Sequence, residues 1–312
     1  MSELSESYLK VPYDLRPAKQ IERRMFVDGL LKLALAGFPI QTYQYTGMGS
    51  IHFIDFILFH KLLGIKNLLS VEYSTGITQR ISFNKPFANV RIEMKPMSEV
   101  IPTLDPAITH IVWLDYDHIL NTEDVQDIQD CGTLLPKKSI LLVTLDVKPP
   151  EEMTIQDSRQ HFLEHAGTFV SDRIDDVQFT QAEWPNITRD VVVRALNRTL
   201  APRDLEFIPL FSFLYADGHE MLTLGGMLGG EDEKSKIAQS LLVAEDYYCE
   251  NFDAQAYRIR VPILTRKERL HLDRAMPCAD GWLPDDFEIS KEDLLIYRSI
   301  YRFLPIYAEF LV

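Results

Sequence analysis

The segment YTGMGS and a later acidic residue have the types and spacing needed to bind a nucleotide. Gly47 and Gly49 follow a short β-prone run, and glycines at the carboxyl end of a strand let a ligand approach the backbone because they carry no Cβ atom. Glu72 ends the next β-prone run, and a carboxylate about 20 residues beyond such a loop binds ribose hydroxyls. These residues predict a nucleotide site, with Ser50 capping the helix that follows. A tight turn and a solvated strand-end acid are the alternative interpretations.

The order of the predicted elements indicates how these residues are positioned. After a predicted helix over Arg16–Leu35, short apolar runs alternate five times with helical segments. The strands are predicted at Thr42–Tyr45, Lys66–Tyr73, Val90–Met94, His110–Asp117 and Ser139–Val147, and the helices at Ile51–Leu63, Ile77–Asn84, Ser98–Leu104, Thr122–Cys131, Phe162–Val177 and Thr188–Leu200. Strands that are apolar throughout are typical of a parallel sheet covered on both faces.

Two β-rich runs later in the chain predict an antiparallel hairpin. Leu205–Tyr215 and Glu220–Met227 flank a short loop that contains Asp217 and Gly218. We therefore predict an α/β fold with a Rossmann-like, mostly parallel sheet that ends in an antiparallel hairpin, with helical N- and C-terminal additions. The predicted divisions are an N-terminal helical cap (1–40), a Rossmann-like domain (41–230) and a helical C-terminal extension (231–312) with a β-like break near Arg258–Pro262.

This order of elements resembles the class I methyltransferases, which use S-adenosyl-L-methionine (SAM). The segments LRPAKQIERRM, YTGMGS, SVEYS, FNKPF and WLDYD resemble, more narrowly, a bacterial family of proposed O-methyltransferases. The resemblance covers about residues 15–230 by element order and implies a SAM-dependent methyltransferase, directed to oxygen, whose acceptor is unknown. It also implies that the loop after the third strand, which contains Met97 and Ser98, faces the adenine.

Two positions of the loop depart from the methyltransferase pattern. Tyr45 stands where that pattern has an acid that receives the ligand's ammonium group, and Ile51 stands in place of a third glycine. Two glycines suffice for close backbone approach, but an unpaired buried ammonium group costs several kcal/mol. We therefore expect Asp55 or Asp115 to replace the missing acid. The alternative is a catalytically inactive, methyltransferase-like protein that binds a nucleotide or regulates a partner.

The segment WLDYD ends the strongest predicted strand, where open α/β sheets bind ligands. Methyl transfer to a hydroxyl requires the protein to orient the acceptor and to remove its proton. Asp115, Asp117 and His118 are the predicted catalytic residues, with Asp115 or His118 as the base. Alternatively, the two aspartates hold a hard cation such as Mg²⁺, or Asp117 only caps a turn and Asp115 alone faces the cleft.

One face of the N-terminal helix is basic. Arg16, Lys19 and Arg23 are spaced three and four residues apart, which places them on the same side of a helix. This face could hold the carboxylate of the ligand or an anionic acceptor. The alternative is a solvated face that pairs with Glu22 and other surface acids.

Composition limits the class of protein. The net charge of −14 disfavours nonspecific binding to nucleic acids, and no apolar run approaches the roughly 20 residues that span a membrane. The three cysteines form no C-x-x-C pair, and the N-terminal residues do not resemble a signal peptide. We therefore expect a cytoplasmic protein whose partner is a small-molecule acceptor or an unknown macromolecule.

Two further features are not assigned to the ligand site. His161 and His165 could share a metal ion, but no third ligand is evident, and no metal site is predicted. The aromatic residues near the C-terminus have helix-like spacing, which is typical of a core or of a homodimer interface. These are Tyr297, Tyr301, Phe303, Tyr307 and Phe310.

Overall fold

The computed structural model of this chain describes residues 16–172 and 174–305. The helices in these ranges are α1 (Pro17–Leu35), α2 (Ile54–Leu63), α3 (Thr78–Asn84), α4 (Met97–Val100), α5 (Thr122–Leu134), α6 (Ile155–Ala166), α7 (Trp184–Leu200), α8 (Glu231–Ala238), α9 (Arg266–Ala275) and α10 (Lys291–Ile300). The strands are β1 (Gln44–Gly47), β2 (Asn67–Val71), β3 (Val90–Glu93), β4 (His110–Ile119), β5 (Ile140–Asp146), β6 (Glu206–Ala216), β7 (Glu220–Gly229) and β8 (Tyr257–Ile259).

The strands form one sheet in the order β3-β2-β1-β4-β5-β7-β6-β8. Strands β1 to β5 pair in parallel, whereas β7 runs antiparallel to both β5 and β6. This arrangement confirms the predicted Rossmann-like sheet with its antiparallel hairpin. Strands β2 and β3 lie on one side of β1, and β4 and β5 lie on the other. The strand order therefore reverses between β1 and β4, and the carboxyl ends of these two strands flank the crevice where such sheets bind ligands.

A separate hydrophobic core covers each face of the sheet. On one face α1 and α2 pack over the parallel strands, and Phe26 of α1 lies with its ring centroid 5.1 Å from that of Trp113 in β4. On the other face α5 and α7 pack over residues such as Val112 and Leu114 of the same strand. Side chains alternate between the faces along a strand, so each residue at a strand end belongs to one side or the other.

The loop after β1 is longer than predicted. Helix α2 begins at Ile54 rather than Ile51, because Ser50 and Phe53 have left-handed φ angles of 51° and 49° that interrupt helical geometry. Phe53 therefore occupies the position before the first helical residue, and the prediction that Ser50 caps this helix is wrong. Left-handed angles at residues other than glycine cluster at functional sites and ligand-binding segments.

The predicted helix over Phe162–Val177 is wrong in its bounds, because α6 begins at Ile155 and ends at Ala166. The side chain of Thr154 accepts a hydrogen bond from the backbone of Asp157, which starts the helix earlier than the apolar pattern predicts. Gly167 has a φ angle of 52° and follows the last residue of α6, and a short 3₁₀ helix at Gly167–Phe169 comes next. The other predicted elements occur with bounds that differ by a few residues.

The two additions pack against the central sheet. The helical C-terminal extension contributes β8, which pairs in parallel with β6 at the edge of the sheet. Tyr297 and Phe303 are buried in the same core as α1, whereas Tyr307 and Phe310 lie outside the described residues. In the described part of the chain, none of the helices has the length and apolar character needed to cross a membrane.

Candidate active site

The glycines of the loop let it lie tightly against neighbouring side chains. A Cβ atom at Gly49 would stand 2.6 Å from the Oγ atom of Ser70 and 2.8 Å from the ring of Phe53. A Cβ atom at Gly47 would collide with the hydroxyl of Tyr45. The two glycines therefore let the loop lie down onto β2 and onto the side chain of Tyr45. The approach of a ligand to the backbone of this loop stays a prediction.

The structure brings Glu72 to the glycine loop. The carboxylate of Glu72 accepts a hydrogen bond of 2.5 Å from the backbone N–H of Ser50. Burial raises the pKa of Glu72 to about 7, the Ser50 N–H opposes this shift, and the nearby carboxylate of Asp55 adds to it. The Oγ atom of Ser50 is buried and has no hydrogen-bond partner among the described residues. A ligand with hydroxyl groups would satisfy both the carboxylate and this hydroxyl.

Tyr45, which stands where the methyltransferase pattern has an acid, is hydrogen-bonded to the nearby acid Asp55. Tyr45 is completely buried, and its hydroxyl donates a hydrogen bond to the carboxylate of Asp55 in the first turn of α2. Burial raises the pKa of Asp55, whereas the positive charge of Arg23 and the hydrogen bond from Tyr45 lower it. Tyr45 therefore holds a carboxylate beside the loop, although it does not supply one itself.

Lys19 of α1 is the centre of a buried polar network at the carboxyl end of β4. Its Nζ atom lies 2.6 Å from the carboxylate of Asp115 and 3.0 Å from that of Glu22, and it donates a hydrogen bond of 3.0 Å to the hydroxyl of Tyr215. It also lies 4.5 Å from the ring centroid of Trp113. Burial alone would lower the pKa of Lys19, but Asp115 and Glu22 outweigh it, so the pKa is raised. Lys19 is therefore a fixed positive charge.

The hairpin between β6 and β7 positions the start of α1. Asp217 in the hairpin turn accepts hydrogen bonds from the backbone N–H groups of Ala18, at 3.1 Å, and Lys19, at 2.9 Å. These groups have no partner within the helix, and a carboxylate is favourable at a helix N-terminus. The hairpin thus fixes α1 over the carboxyl ends of the strands.

The three predicted catalytic residues lie in different surroundings. Asp115 contacts Lys19 on the face of the sheet that α1 covers. His118 lies on the opposite face, where its Nδ1 atom is 3.5 Å from the carboxylate of Asp124 in α5. Asp117 is exposed. The structure does not bring Asp115 and His118 together, because residues separated by an odd number along a strand face opposite sides.

The other metal and ligand predictions have less support in the geometry. Among the residues that the structure describes, no group of three His, Cys, Asp or Glu side chains could hold a metal ion. His161 and His165 lie side by side, with ring centroids 4.6 Å apart. Met97 and Ser98 follow the carboxyl end of β3, where the backbone N–H of Glu72 donates a hydrogen bond to the carbonyl of Glu93. Met97 is buried and Ser98 is exposed.

An acid–base pair that the sequence pattern did not reveal lies at the same edge of the sheet. His219 follows the hairpin turn, and its Nδ1 atom lies 3.0 Å from the carboxylate of Asp146 at the end of β5. The side chain of Thr144 accepts a hydrogen bond from Trp113, so Asp146, two residues later, belongs to the same face as Asp115. The sequence signal was the aspartate at the end of the apolar run SILLVTLDV.

The fold, a Rossmann-like sheet that ends in an antiparallel hairpin, is that of the class I methyltransferases. Residues 11–312 match the profile of the family described as "Putative O-methyltransferase". The chain belongs to this family. No curated protein sequence matches it at a significant level.

Three solved structures are similar in fold. Trm1 from Pyrococcus horikoshii, in complex with S-adenosyl-L-methionine, is 12% identical over 69% of this chain and 56% of its own, with a TM-score of 0.46. TYW2 from M. jannaschii, in complex with AdoMet, is 12% identical over 72% of this chain and 80% of its own, with a TM-score of 0.40. The O-methyltransferase TomG from Streptomyces achromogenes, in complex with SAM, is 18% identical over 72% and 94%, with a TM-score of 0.37.

Proposed function

We propose that this protein is a SAM-dependent methyltransferase that transfers a methyl group to an oxygen atom of a small-molecule acceptor. The observation that carries the proposal is the contact between the Glu72 carboxylate and the backbone N–H of Ser50 in the glycine loop. This contact joins the end of β2 to the loop after β1, at the switch point of a Rossmann-like sheet. Membership of the family supports the reaction class.

The residues of the site fit an adenosyl ligand. The ribose hydroxyls would donate hydrogen bonds to Glu72, and the loop over Gly47 and Gly49 would lie against the sugar and the sulfur-bearing chain. Met97 and Ser98 follow β3 and would flank the adenine. The acids Asp55 and Asp115 would flank the cationic end of SAM, because Asp55 lies in the first turn of the helix after β1 and Asp115 lies in the carboxyl-terminal half of β4.

The chain's own residues would supply orientation and proton removal. Bound SAM supplies the electrophilic methyl group, so the protein need only align the acceptor oxygen and accept its proton. Asp115 is one candidate base. Its ion pair with Lys19 favours another role, which is to hold the acceptor or the ammonium group of SAM. His219 is the better candidate, because the carboxylate of Asp146 contacts its imidazole and 72% of the side chain is exposed to solvent. His118 faces α5 and is not part of this arrangement.

Calorimetry is expected to show binding of SAM and no binding of NAD. The first turn of α2 carries the buried acid Asp55, which repels the pyrophosphate of NAD and attracts the positive charges of SAM. The two ligands should be titrated into the same preparation after mass spectrometry has established which ligand was retained during purification. Binding of NAD alone, or of neither ligand at millimolar concentration, would contradict the proposed cofactor.

Transfer to oxygen requires a separate experiment. The protein is incubated with SAM carrying an isotopically labelled methyl group and with a small-molecule extract, and each labelled product is identified by mass spectrometry. We expect labelled methyl ethers or methyl esters, and we expect His219→Gln to lose most of this activity because the glutamine side chain cannot accept the proton. Labelled N-methyl products would contradict the oxygen specificity. Tight SAM binding without any labelled product would favour the regulatory alternative.

A further inference from the structure

Arg23 of α1 is a buried cation, and two of its three guanidinium nitrogens have no hydrogen-bond partner among the described residues. Its exposure is 5%, and its Nε and Nη1 atoms have no hydrogen-bond partner among the residues that the structure describes. Buried guanidinium groups are normally paired, because an uncompensated buried charge is strongly destabilising. The position of Arg23 therefore indicates a partner that is not part of the described chain.

The neighbouring cation on the same helix face is already paired. Lys19 contacts the carboxylates of Asp115 and Glu22 and the hydroxyl of Tyr215. The ammonium group donates hydrogen bonds to Asp115 and Tyr215 and forms an ion pair with Glu22, so its charge already has partners within the chain. Of these two neighbouring cations, Arg23 is the one that keeps open donors for an anion.

Helix α1, which carries Arg23, packs against α2, the helix that follows the glycine loop. The positive charge of Arg23 lowers the pKa of Asp55 and that of Tyr45, whose hydroxyl is hydrogen-bonded to Asp55. Asp55 belongs to the first turn of the helix that follows the loop. A guanidinium group and a carboxylate, both buried, are thus held beside the loop without a hydrogen bond between them.

These charges match the amino-acid end of SAM, which has one carboxylate and one ammonium group. We propose that the guanidinium of Arg23 binds the carboxylate of SAM while Asp55, held by Tyr45, receives its ammonium group. A guanidinium group suits a carboxylate because hydrogen bonds between two charged groups are shorter and stronger than those between neutral ones. This assignment rests on the proposed function, and it gives the α1 helix a direct role in selecting a ligand with a free amino-acid end.

A comparison of two ligands separates this role from a structural one. SAM and decarboxylated SAM share the adenosine, the sulfonium and the amino group, and they differ only in the carboxylate. For the Arg23→Gln variant, we expect SAM affinity to fall about 10- to 100-fold, in line with the loss of charge-assisted hydrogen bonds, whereas affinity for decarboxylated SAM changes less than about three-fold. Calorimetry of both ligands with both proteins gives the four required values.

The controls distinguish the possible failures. Arg91→Gln removes the same charge at the amino end of the strands, where Arg91 contacts Gln44, and should leave the affinities of both ligands unchanged. If Arg23→Gln does not fold, Arg23→Lys keeps the charge, removes the planar fork and should show a smaller selective loss for SAM. Equal losses for both ligands, or no loss for either, would overturn the inference while leaving SAM binding intact. Failure of the wild-type protein to bind SAM would instead contradict the proposed function.

Discussion

Replacing Lys19 by Met is expected to lower the free energy of unfolding by about 3–5 kcal/mol. Lys19 is the positive charge between the carboxylates of Asp115 and Glu22, and Glu22 is completely buried. Methionine fills a similar volume but leaves two neighbouring carboxylates without a counter-charge in a poorly solvated position. Urea denaturation of the variant and of the wild-type protein at pH 8 measures the difference.

Two further variants test this cause. Lys234 forms an ion pair of 3.2 Å with Glu206 on the surface, with both side chains largely exposed, so Lys234→Met should change stability by less than about 1 kcal/mol. Adding Glu22→Gln to Lys19→Met should restore much of the lost stability, because it removes one of the uncompensated charges. The loss in Lys19→Met should also shrink as the pH falls and the carboxylates become protonated. A loss that is unchanged by Glu22→Gln and by pH would indicate a packing defect instead.

Replacing Glu72 by Gln is expected to stabilise the ligand-free protein at pH 8 and to weaken the binding of SAM. The pKa of Glu72 in the folded protein is about 7, against an ordinary value of 4.5. A carboxyl group whose folded pKa is raised destabilises the fold above that pKa, and the destabilisation disappears as the pH falls to the unfolded value. The amide has no such titration and can still accept the Ser50 N–H, so we expect a gain of about 3 kcal/mol at pH 8.

The pH dependence of the unfolding free energy and the affinity for SAM test the prediction for Glu72. The gain in unfolding free energy should decrease between pH 7 and pH 4.5, and Glu93→Gln at the neighbouring strand end should give no comparable gain. SAM affinity should fall about 10-fold or more in Glu72→Gln, because a charge-assisted hydrogen bond to the ribose is lost. A variant that is stabilised but binds SAM normally would remove Glu72 from the site. Such opposite effects on stability and binding are expected where a residue is kept for function.

The amino-acid sequence by itself predicted the fold because the signals involved are local. Apolar runs such as SILLVTLDV predict buried strands, and their alternation with helices predicts a parallel sheet. The same reasoning predicted that the loop with Gly47 and Gly49 lies beside Glu72. Parallel strands end at one edge of the sheet and so bring their last residues together. The antiparallel hairpin was predictable because a short turn joins two β-rich runs.

Only the tertiary structure decided how the charged residues are divided between the two faces of the sheet. Asp115 and His118 are close in sequence but face α1 and α5, because side chains alternate along β4. The pairing of Lys19 with Asp115 and that of His219 with Asp146 join segments distant in sequence, and no local pattern specifies them. The sequence predicted a basic face on α1, and the packing of that helix over the strand ends decides that Lys19 and Arg23 are buried and that Lys19 pairs with two acids. Burial decides the chemistry of these groups, because it makes an unpaired charge costly and so requires a partner.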